Sequence, residues 1–206
     1  MRHKENLAIL ALLILAACFF GVALRPGKEG AQATGVKPIA LPATALLNGR
    51  SDFQGDINSP YTLIEFGDYE CPPCRAQQAK VEQLLSEYPG KLRLDFRNLP
   101  LVTLHPHAMY AAIIAEAARK EKNFQTIHAL LFKTPMQDEN LLEVLHTHLK
   151  EGRLSSSLKT EARRAVEADM ELASTLRIQG TPGFFLCTPS GEVFPVALSD
   201  IPRLME

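Results

Sequence analysis

Cysteine is scarce in this sequence, which has four among its 206 residues. A small secreted scaffold held together by disulfides needs more cysteines in a shorter chain, so that class of protein is excluded. The formal net charge is −1, and no basic run or basic–aromatic alternation is present, which argues against a nucleic-acid partner. Hydrophobic residues make up 46% and charged residues 22%, which is typical of one globular domain with a leader and a linker.

The amino-terminal residues are typical of an export signal. Arg2 and Lys4 precede an apolar run, Leu7 to Leu24, that contains no charged or strongly polar side chain. The run is at the lower limit for a membrane-spanning helix and long for the core of a signal peptide. We interpret residues 1–24 as a signal anchor or signal peptide, which predicts a periplasmic or extracytoplasmic protein anchored to the membrane through residues 7–24.

Two other interpretations of the leader stay open. Residues 31–33, Ala-Gln-Ala, have the small-x-small form of a cleavage site, which would place cleavage after Ala33. Cys18 ends the string Leu-Ala-Ala-Cys, which resembles the processing box of bacterial lipoproteins. The apolar run continues past Cys18, so we favour a small apolar residue in a membrane helix. All three interpretations export the rest of the chain.

Composition separates the rest of the chain into two parts. Residues 25–51 are rich in glycine, proline, alanine and threonine without an apolar period, which predicts a linker. The domain is expected over residues 52–206, with strand, helix, strand, then a block of helices, then two strands and a helix. The predicted strands are 61–66, 91–98, 183–187 and 192–198, and the predicted helices are 71–88, 105–120, 123–132, 155–176 and 201–206, with a leucine stripe over 141–149.

Cys71 and Cys74 form a Cys-Pro-Pro-Cys string between a predicted strand and helix. The unpaired N–H groups and positive dipole at a helix N-terminus favour a thiolate at Cys71. Cys71 would attack a substrate disulfide, and Cys74 would resolve the mixed disulfide. The alternative is half of a zinc site, but zinc needs four ligands and the chain has no second cysteine pair. We therefore predict no metal, and no cofactor.

A resemblance to a known family extends this interpretation. The string Glu65–Cys74, Glu-Phe-Gly-Asp-Tyr-Glu-Cys-Pro-Pro-Cys, with Gly-Thr-Pro-Gly-Phe-Phe at 180–185, resembles the DsbA-like branch of the thioredoxin superfamily. The resemblance covers about residues 52–200. It implies an α/β, thioredoxin-like fold with a helical insertion, at about 103–177, between the βαβ and ββα halves. It also implies a thiol–disulfide oxidoreductase that acts on exported proteins.

The resemblance assigns roles to five residues. It implies that Cys71 and Cys74 form the redox-active disulfide and that Pro182 is a cis proline packed beside it. Thr181 would offer backbone hydrogen bonds to the substrate, and Glu65, beneath the disulfide, would relay the proton of Cys74. A carboxyl group buried in this way should have a raised pKa. The alternatives are a trans proline that begins a strand and a glutamate on an exposed strand edge.

The residues around the cysteines bear on the reduction potential. The two prolines between them remove N–H donors that could face the Cys71 sulfur, and no histidine stands there, as one does in strongly oxidising members of the fold. Asp68 and Glu70 add negative charge, which Arg75 alone opposes along the sequence. We therefore expect a less stable Cys71 thiolate and a potential in the lower half of the range from about −120 to −270 mV.

The remaining residues and partners leave alternatives open. We interpret Cys187 as a buried apolar residue and the histidines as packing or surface residues, with His105 and His107 as candidates to line a groove. The predicted partners are thiols or disulfides of exported proteins and a membrane redox partner, and the direction of electron flow stays open. The alternative function is a non-enzymatic binding module: a chaperone, a metal carrier or a regulatory partner of a membrane protein.

Overall fold

The computed structural model describes residues 37–47, 52–135 and 154–206. Among these residues, no helix combines the length and the apolar character needed to cross a bilayer. Several predictions lie outside the described residues: the signal anchor, the alternatives at Cys18 and Ala33, most of the linker, and the leucine stripe at 141–149.

The described elements follow the predicted order, so the α/β class is confirmed. The later predicted strand is shorter than expected, because the chain turns into a 3₁₀ helix at Leu198–Asp200. In chain order the elements are α1 (Ala43–Leu47), β1 (Tyr61–Gly67), α2 (Pro72–Glu87), β2 (Leu92–Asn98), α3 (Ala108–Lys120), α4 (Phe124–Lys133), α5 (Ser156–Thr175), β3 (Gly183–Cys187), β4 (Val193–Pro195) and α6 (Ile201–Leu204).

The sheet brings two distant chain segments to one edge. Its strand order is β2-β1-β3-β4, with β1 parallel to β2 and antiparallel to β3. Phe66, near the end of β1, pairs with Gly183, the first residue of β3. The turn that leads from β1 to Cys71 therefore lies beside the segment that leads through Pro182 into β3.

Both faces of the sheet are covered, which explains the continuous apolar character of β1. On one face Leu63 packs with Val81 and Leu84 of α2. On the other face Phe66 packs with Leu46 of α1 in a cluster that α5 completes. Helix α5 begins where Ser155 caps it, because its hydroxyl accepts a hydrogen bond of 3.2 Å from the N–H of Leu158.

Most polar residues of β2 are buried, although their alternation with apolar residues is typical of a strand with one solvent face. Asp95 and Arg97 lie beneath α5 and α1. The Arg97 guanidinium donates to Asp95 at 2.8 Å and to Asp169 of α5 at 3.1 Å, and it also contacts the carbonyl of Leu46. Pairing of these charges is what allows their burial.

Part of the predicted linker packs against the domain. The N–H of Ile39 donates to Val193 at 2.8 Å, the N–H of Ala43 donates to Gly191 at 3.1 Å, and Leu46 is fully buried. The packed region therefore starts before Asp52, where the sequence predicts its beginning. The glycines and prolines of this segment make its sequence typical of a linker, but a short stretch of apolar residues within it covers one face of the sheet.

Candidate active site

Cys71 occupies the N-cap of α2, and the two prolines fill the first helical positions after it. Cys71 is 4% exposed, whereas Cys74, three residues further along the chain, is fully buried. Both are thiols in this structure. The first cysteine is therefore the more accessible of the two.

The segment before β3 meets the Cys71 sulfur. The Thr181–Pro182 peptide bond is cis. The Cys71 Sγ lies 3.5 Å from the carbonyl oxygen of Thr181, to which its S–H donates. Residues that are 110 positions apart in the sequence thus form one site, because β1 and β3 are neighbours in the sheet.

Burial has the largest effect on the pKa of the second thiol, Cys74. It raises the pKa of Cys74 well above the usual value for a thiol, and the nearby Cys71 and Glu65 act in the same direction. A hydrogen bond from the backbone of Asp68 acts against them. Cys74 therefore holds its proton at neutral pH, so that any reaction in which it attacks as a thiolate would need a group that can take this proton away.

Glu65 lies in β1 with its side chain fully buried, which excludes an exposed strand edge. Burial raises its pKa to about 8. Neither carboxyl oxygen has a hydrogen-bond partner among the described residues. A methyl group built on Gly67, two residues later in β1, would lie 3.1 Å from Glu65 Oε1 and 2.5 Å from the ring of Phe96. The carboxyl group therefore sits in a tightly packed interior beside an aromatic ring.

An aromatic cluster supports the turn before Cys71, and no single motif of the sequence indicates it. The hydroxyl of Tyr69 lies 3.0 Å from Nδ1 of His128, and the rings of Phe96, Phe124 and Phe132 surround this histidine. Burial, with a contribution from Arg119, lowers the pKa of His128 to about 3, so the ring is neutral. The spacing of four residues on either side of His128 is the available signal, since it places both phenylalanines on one face of α4.

Arg75 has a different role from the one expected. Its guanidinium donates to the backbone carbonyls of Tyr69 at 3.0 Å, Leu131 at 2.9 Å and Thr134 at 3.1 Å. It thereby ties the active-site turn to the end of α4. The cationic side chain that contacts Asp68 when protonated is His105, rather than Arg75.

Asp68 joins the active-site turn to the loop after β2. Its buried carboxylate accepts hydrogen bonds of 2.8 Å from the N–H of Glu70, the N–H of Leu101 and Nδ1 of His105. Glu70 accepts a further bond of 2.8 Å from the N–H of His107. His105 and His107 thus contact two residues of the turn before Cys71. The sequence predicts them only as packing or surface residues, or as candidates to line a groove.

Cys187, the third cysteine among the described residues, lies apart from this arrangement. Cys187 is buried in the cluster of Phe66 and Phe185, and burial raises its pKa to about 12. In the part of the chain that the structure describes, no group of three or more histidine, cysteine, aspartate or glutamate side chains is placed to hold a metal ion.

The chain is similar to known proteins over this region. A family model described as thioredoxin matches residues 48–188. A periplasmic thioredoxin-like protein from Salmonella enterica serovar Typhimurium is 22% identical with a TM-score of 0.64, over 82% of this chain and 97% of that one. The catalytic domain of Proteus mirabilis ScsC is 21% identical with a TM-score of 0.62, over 79% of this chain and 94% of that one.

Similarity extends to part of some much larger proteins. The Na⁺/H⁺ antiporter NhaA 1 of Salinispora arenicola is 34% identical over 142 residues, which make up 66% of this chain. Those residues are 22% of the antiporter, so the chain spans about a fifth of the length of the curated relatives it matches.

Proposed function

Because the chain belongs to the thioredoxin family and has a DsbA-like thioredoxin fold, we propose that it is an extracytoplasmic thiol–disulfide oxidoreductase acting on exported proteins. One observation carries the proposal: Cys71 begins α2 with its sulfur 3.5 Å from the Thr181 carbonyl, and the buried thiol of Cys74 follows one turn later. A reactive sulfur at a helix N-terminus, with a second thiol within reach, is what disulfide exchange requires.

The reaction uses both sulfurs. The Cys71 thiolate attacks one sulfur of a substrate disulfide, forms a mixed disulfide and releases the other substrate sulfur as a thiolate. Cys74 then loses its proton and attacks the Cys71 sulfur, which releases the second substrate thiolate. The substrate disulfide is thereby reduced to two thiols, and Cys71 and Cys74 are oxidised to a disulfide. The same steps in reverse oxidise a substrate, and the direction depends on the redox partner.

Glu65 is the proposed acceptor of the Cys74 proton. Its buried carboxyl group interacts electrostatically with Cys74, and its pKa of about 8 lies near the pH at which a thiol must be deprotonated. Thr181 and Pro182 are the proposed substrate-binding residues. Their position beside Cys71 allows the backbone of Thr181 to contact a polypeptide whose sulfur reaches the site.

The cellular setting belongs to the same proposal. The Salmonella protein is described as periplasmic, and the apolar run at residues 7–24 is typical of an export signal or anchor. We therefore propose an extracytoplasmic domain tethered by residues 1–24, exchanging electrons with a membrane redox partner. The direction of electron flow follows from that partner.

A second candidate has a specific observation in its favour. A segment similar to this chain occurs in proteins named as Na⁺/H⁺ antiporters. A thioredoxin-like module that accompanies a transporter is suited to regulate it by binding, without turnover. An intact cysteine pair at a helix N-terminus favours the enzyme over this alternative.

Replacement of Cys71 by serine separates the two functions. We expect Cys71→Ser in the full-length chain to abolish reduction of a disulfide-bonded model protein by a dithiol, because the attacking sulfur is lost. Cys187→Ser is the matched control and should retain the wild-type rate, since Cys187 is buried on another face of the sheet. Equal rates for wild type and Cys71→Ser would overturn the enzymatic proposal.

A further inference from the structure

The side chain of Thr181 carries a buried hydroxyl group, whereas the proposed reaction uses only the backbone of this residue. Its oxygen, Oγ1, is shielded from solvent and has no nitrogen or oxygen as a hydrogen-bond partner among the described residues. A hydroxyl group buried in this way lowers stability, because it gives up the hydrogen bonds that it makes to water. Since valine has nearly the same shape without this disadvantage, the hydroxyl group itself is the feature to explain.

The group beside this hydroxyl is the thiol of Cys74. Burial has the largest effect on the pKa of Cys74 and raises it, whereas hydrogen bonds to the sulfur from the backbone of Asp68 and from the side chain of Thr181 lower it. A donor to sulfur favours the thiolate, because the thiolate accepts a hydrogen bond more strongly than the thiol does. Of the two donors, only the threonine offers a side chain that a substitution can remove.

Thr181 meets both cysteines because of its place beside the sheet. Cys71 Sγ lies 3.5 Å from the Thr181 carbonyl oxygen, and Gly183, two residues later, pairs with Phe66 of β1. Cys74 lies in the first turn of α2, three residues after Cys71, and is fully buried. The backbone of Thr181 thus contacts the attacking sulfur, and its side chain interacts with the buried one.

We infer that the Thr181 hydroxyl is a catalytic hydrogen-bond donor to the Cys74 sulfur in the step that resolves the mixed disulfide. In that step the proton of the Cys74 thiol passes to the Glu65 carboxylate, and the thiolate attacks Cys71 Sγ. A new S–S bond forms, and the substrate sulfur leaves as a thiolate. The Thr181 O–H keeps its own proton throughout and stabilises the charge on the Cys74 sulfur until the new bond forms. This inference rests on the proposed function, since it concerns the same resolving step.

Reaction of the reduced full-length chain with an equimolar amount of dithiobis(nitrobenzoic acid) separates the two steps. Attack by Cys71 releases one coloured nitrobenzoate thiolate and resolution by Cys74 releases the second, so stopped-flow absorbance records two phases. With Thr181→Val the second phase should slow by about three- to tenfold at neutral pH, because the Cys74 thiolate becomes rarer but more nucleophilic. The first phase should stay within about twofold of the wild-type rate, since the Thr181 carbonyl remains.

Three further variants separate the hydroxyl group from the size of the side chain. Thr181→Ser keeps the hydroxyl and loses only the methyl group, so its second phase should be close to that of the wild type. Thr181→Ala lacks both groups and should be as slow as Thr181→Val. Thr175→Val removes an exposed hydroxyl from α5 and should change neither phase.

The inference and the proposed function fail in different ways. An unchanged second phase for Thr181→Val, equal slowing of both phases, or a second phase that Thr181→Ser does not restore would overturn the inference. If Thr181→Val does not fold, the comparison of Thr181→Ala with Thr181→Ser gives the same decision. Failure of the proposed function shows instead in the wild-type chain, which would then release no more coloured thiolate than Cys71→Ser does.

Discussion

Two buried carboxyl groups, those of Glu65 and Asp68, lie on the segment that leads into Cys71, and their surroundings differ. Asp68 accepts three hydrogen bonds, whereas Glu65 has no partner for either oxygen among the described residues. Donors favour the charged form of an acid, and burial without donors favours the neutral form. Glu65, with a pKa of about 8, is therefore suited to the proposed proton exchange with Cys74, whereas the hydrogen bonds of Asp68 join the turn before Cys71 to the loop after β2.

Replacement of Glu65 by glutamine should slow the resolving step. Glutamine keeps the volume of the side chain but cannot accept the Cys74 proton, so the mixed disulfide at Cys71 should accumulate and turnover should fall by up to about 10²-fold. Acid quenching followed by mass spectrometry measures the mixed disulfide. Glu82→Gln, which changes an exposed glutamate on α2, should leave turnover unchanged. A wild-type rate for Glu65→Gln would remove Glu65 from the mechanism.

The sequence identifies some of these residues and conceals others. Spacing and position at a helix start are sufficient to select Cys71 and Cys74 as candidates, because the two cysteines lie within one turn of the same helix. Contacts across the sheet edge leave no such signal. Tyr69 and His128 are 59 positions apart, and Asp68 and His105 are 37 apart, so these pairs become visible only when the strands are assembled.

Strand β1 carries a glycine where its neighbours leave no room for a side chain. A Cβ at Gly67 would lie 2.5 Å from Cε2 of Phe96, and Tyr69, His128 and Phe132 hold that ring in place. We expect Gly67→Ala to lower the free energy of unfolding by about 1–3 kcal/mol, as measured by denaturant titration, because the aromatic cluster must shift.

Gly180 is the matched control for this substitution. A methyl group built there meets nothing within 4 Å, so Gly180→Ala should change stability by less than about 0.5 kcal/mol. Equal free energies of unfolding for Gly67→Ala and the wild type would contradict this prediction, because they would mean that the aromatic cluster accommodates an added methyl group without cost.

The periodicity of the sequence predicts where helices and strands lie better than it predicts what packs against them. The strand–helix–strand start and the long helix α5 are predicted closely, because their apolar patterns are strong and their ends carry caps or prolines. The pattern of β2 predicts a strand but not the burial of its charged face, which depends on α5 and α1 packing over it. Helix α1 itself has five residues, which is too short for a periodic signal.

At the scale of the whole molecule, two buried titratable side chains shape the dependence of stability on pH. The pKa of Glu65 rises from 4.5 to about 8 on folding, so its stability contribution is complete below pH 4.5 and is lost as the pH rises to about 8. The pKa of His128 falls from 6.5 to about 3, so its contribution is complete above pH 6.5 and is lost as the pH falls to about 3.

The two dependences oppose each other between pH 4.5 and 6.5, where we expect stability to be nearly level. Above pH 6.5, loss of the Glu65 contribution should lower the free energy of unfolding as the pH rises. Glu65→Gln should remove roughly a few kcal/mol of this fall. Below pH 4.5, His128→Asn should flatten the acid limb. Denaturant titrations from pH 3 to 9 measure both slopes, and an alkaline slope that survives Glu65→Gln would assign it to other groups.

Cys71 is 4% exposed, so in the proposed function the narrow access to its sulfur would limit which disulfides can react. A sulfur inside a folded partner cannot approach the Cys71 sulfur closely enough to react, whereas a sulfur on an unfolded, extended segment can. Under the proposed function, such a site would distinguish partners by whether they are folded, and it would act on a substrate protein before that protein has finished folding. The time at which the two proteins meet, as much as the chemical identity of the substrate, would then determine which bonds are exchanged.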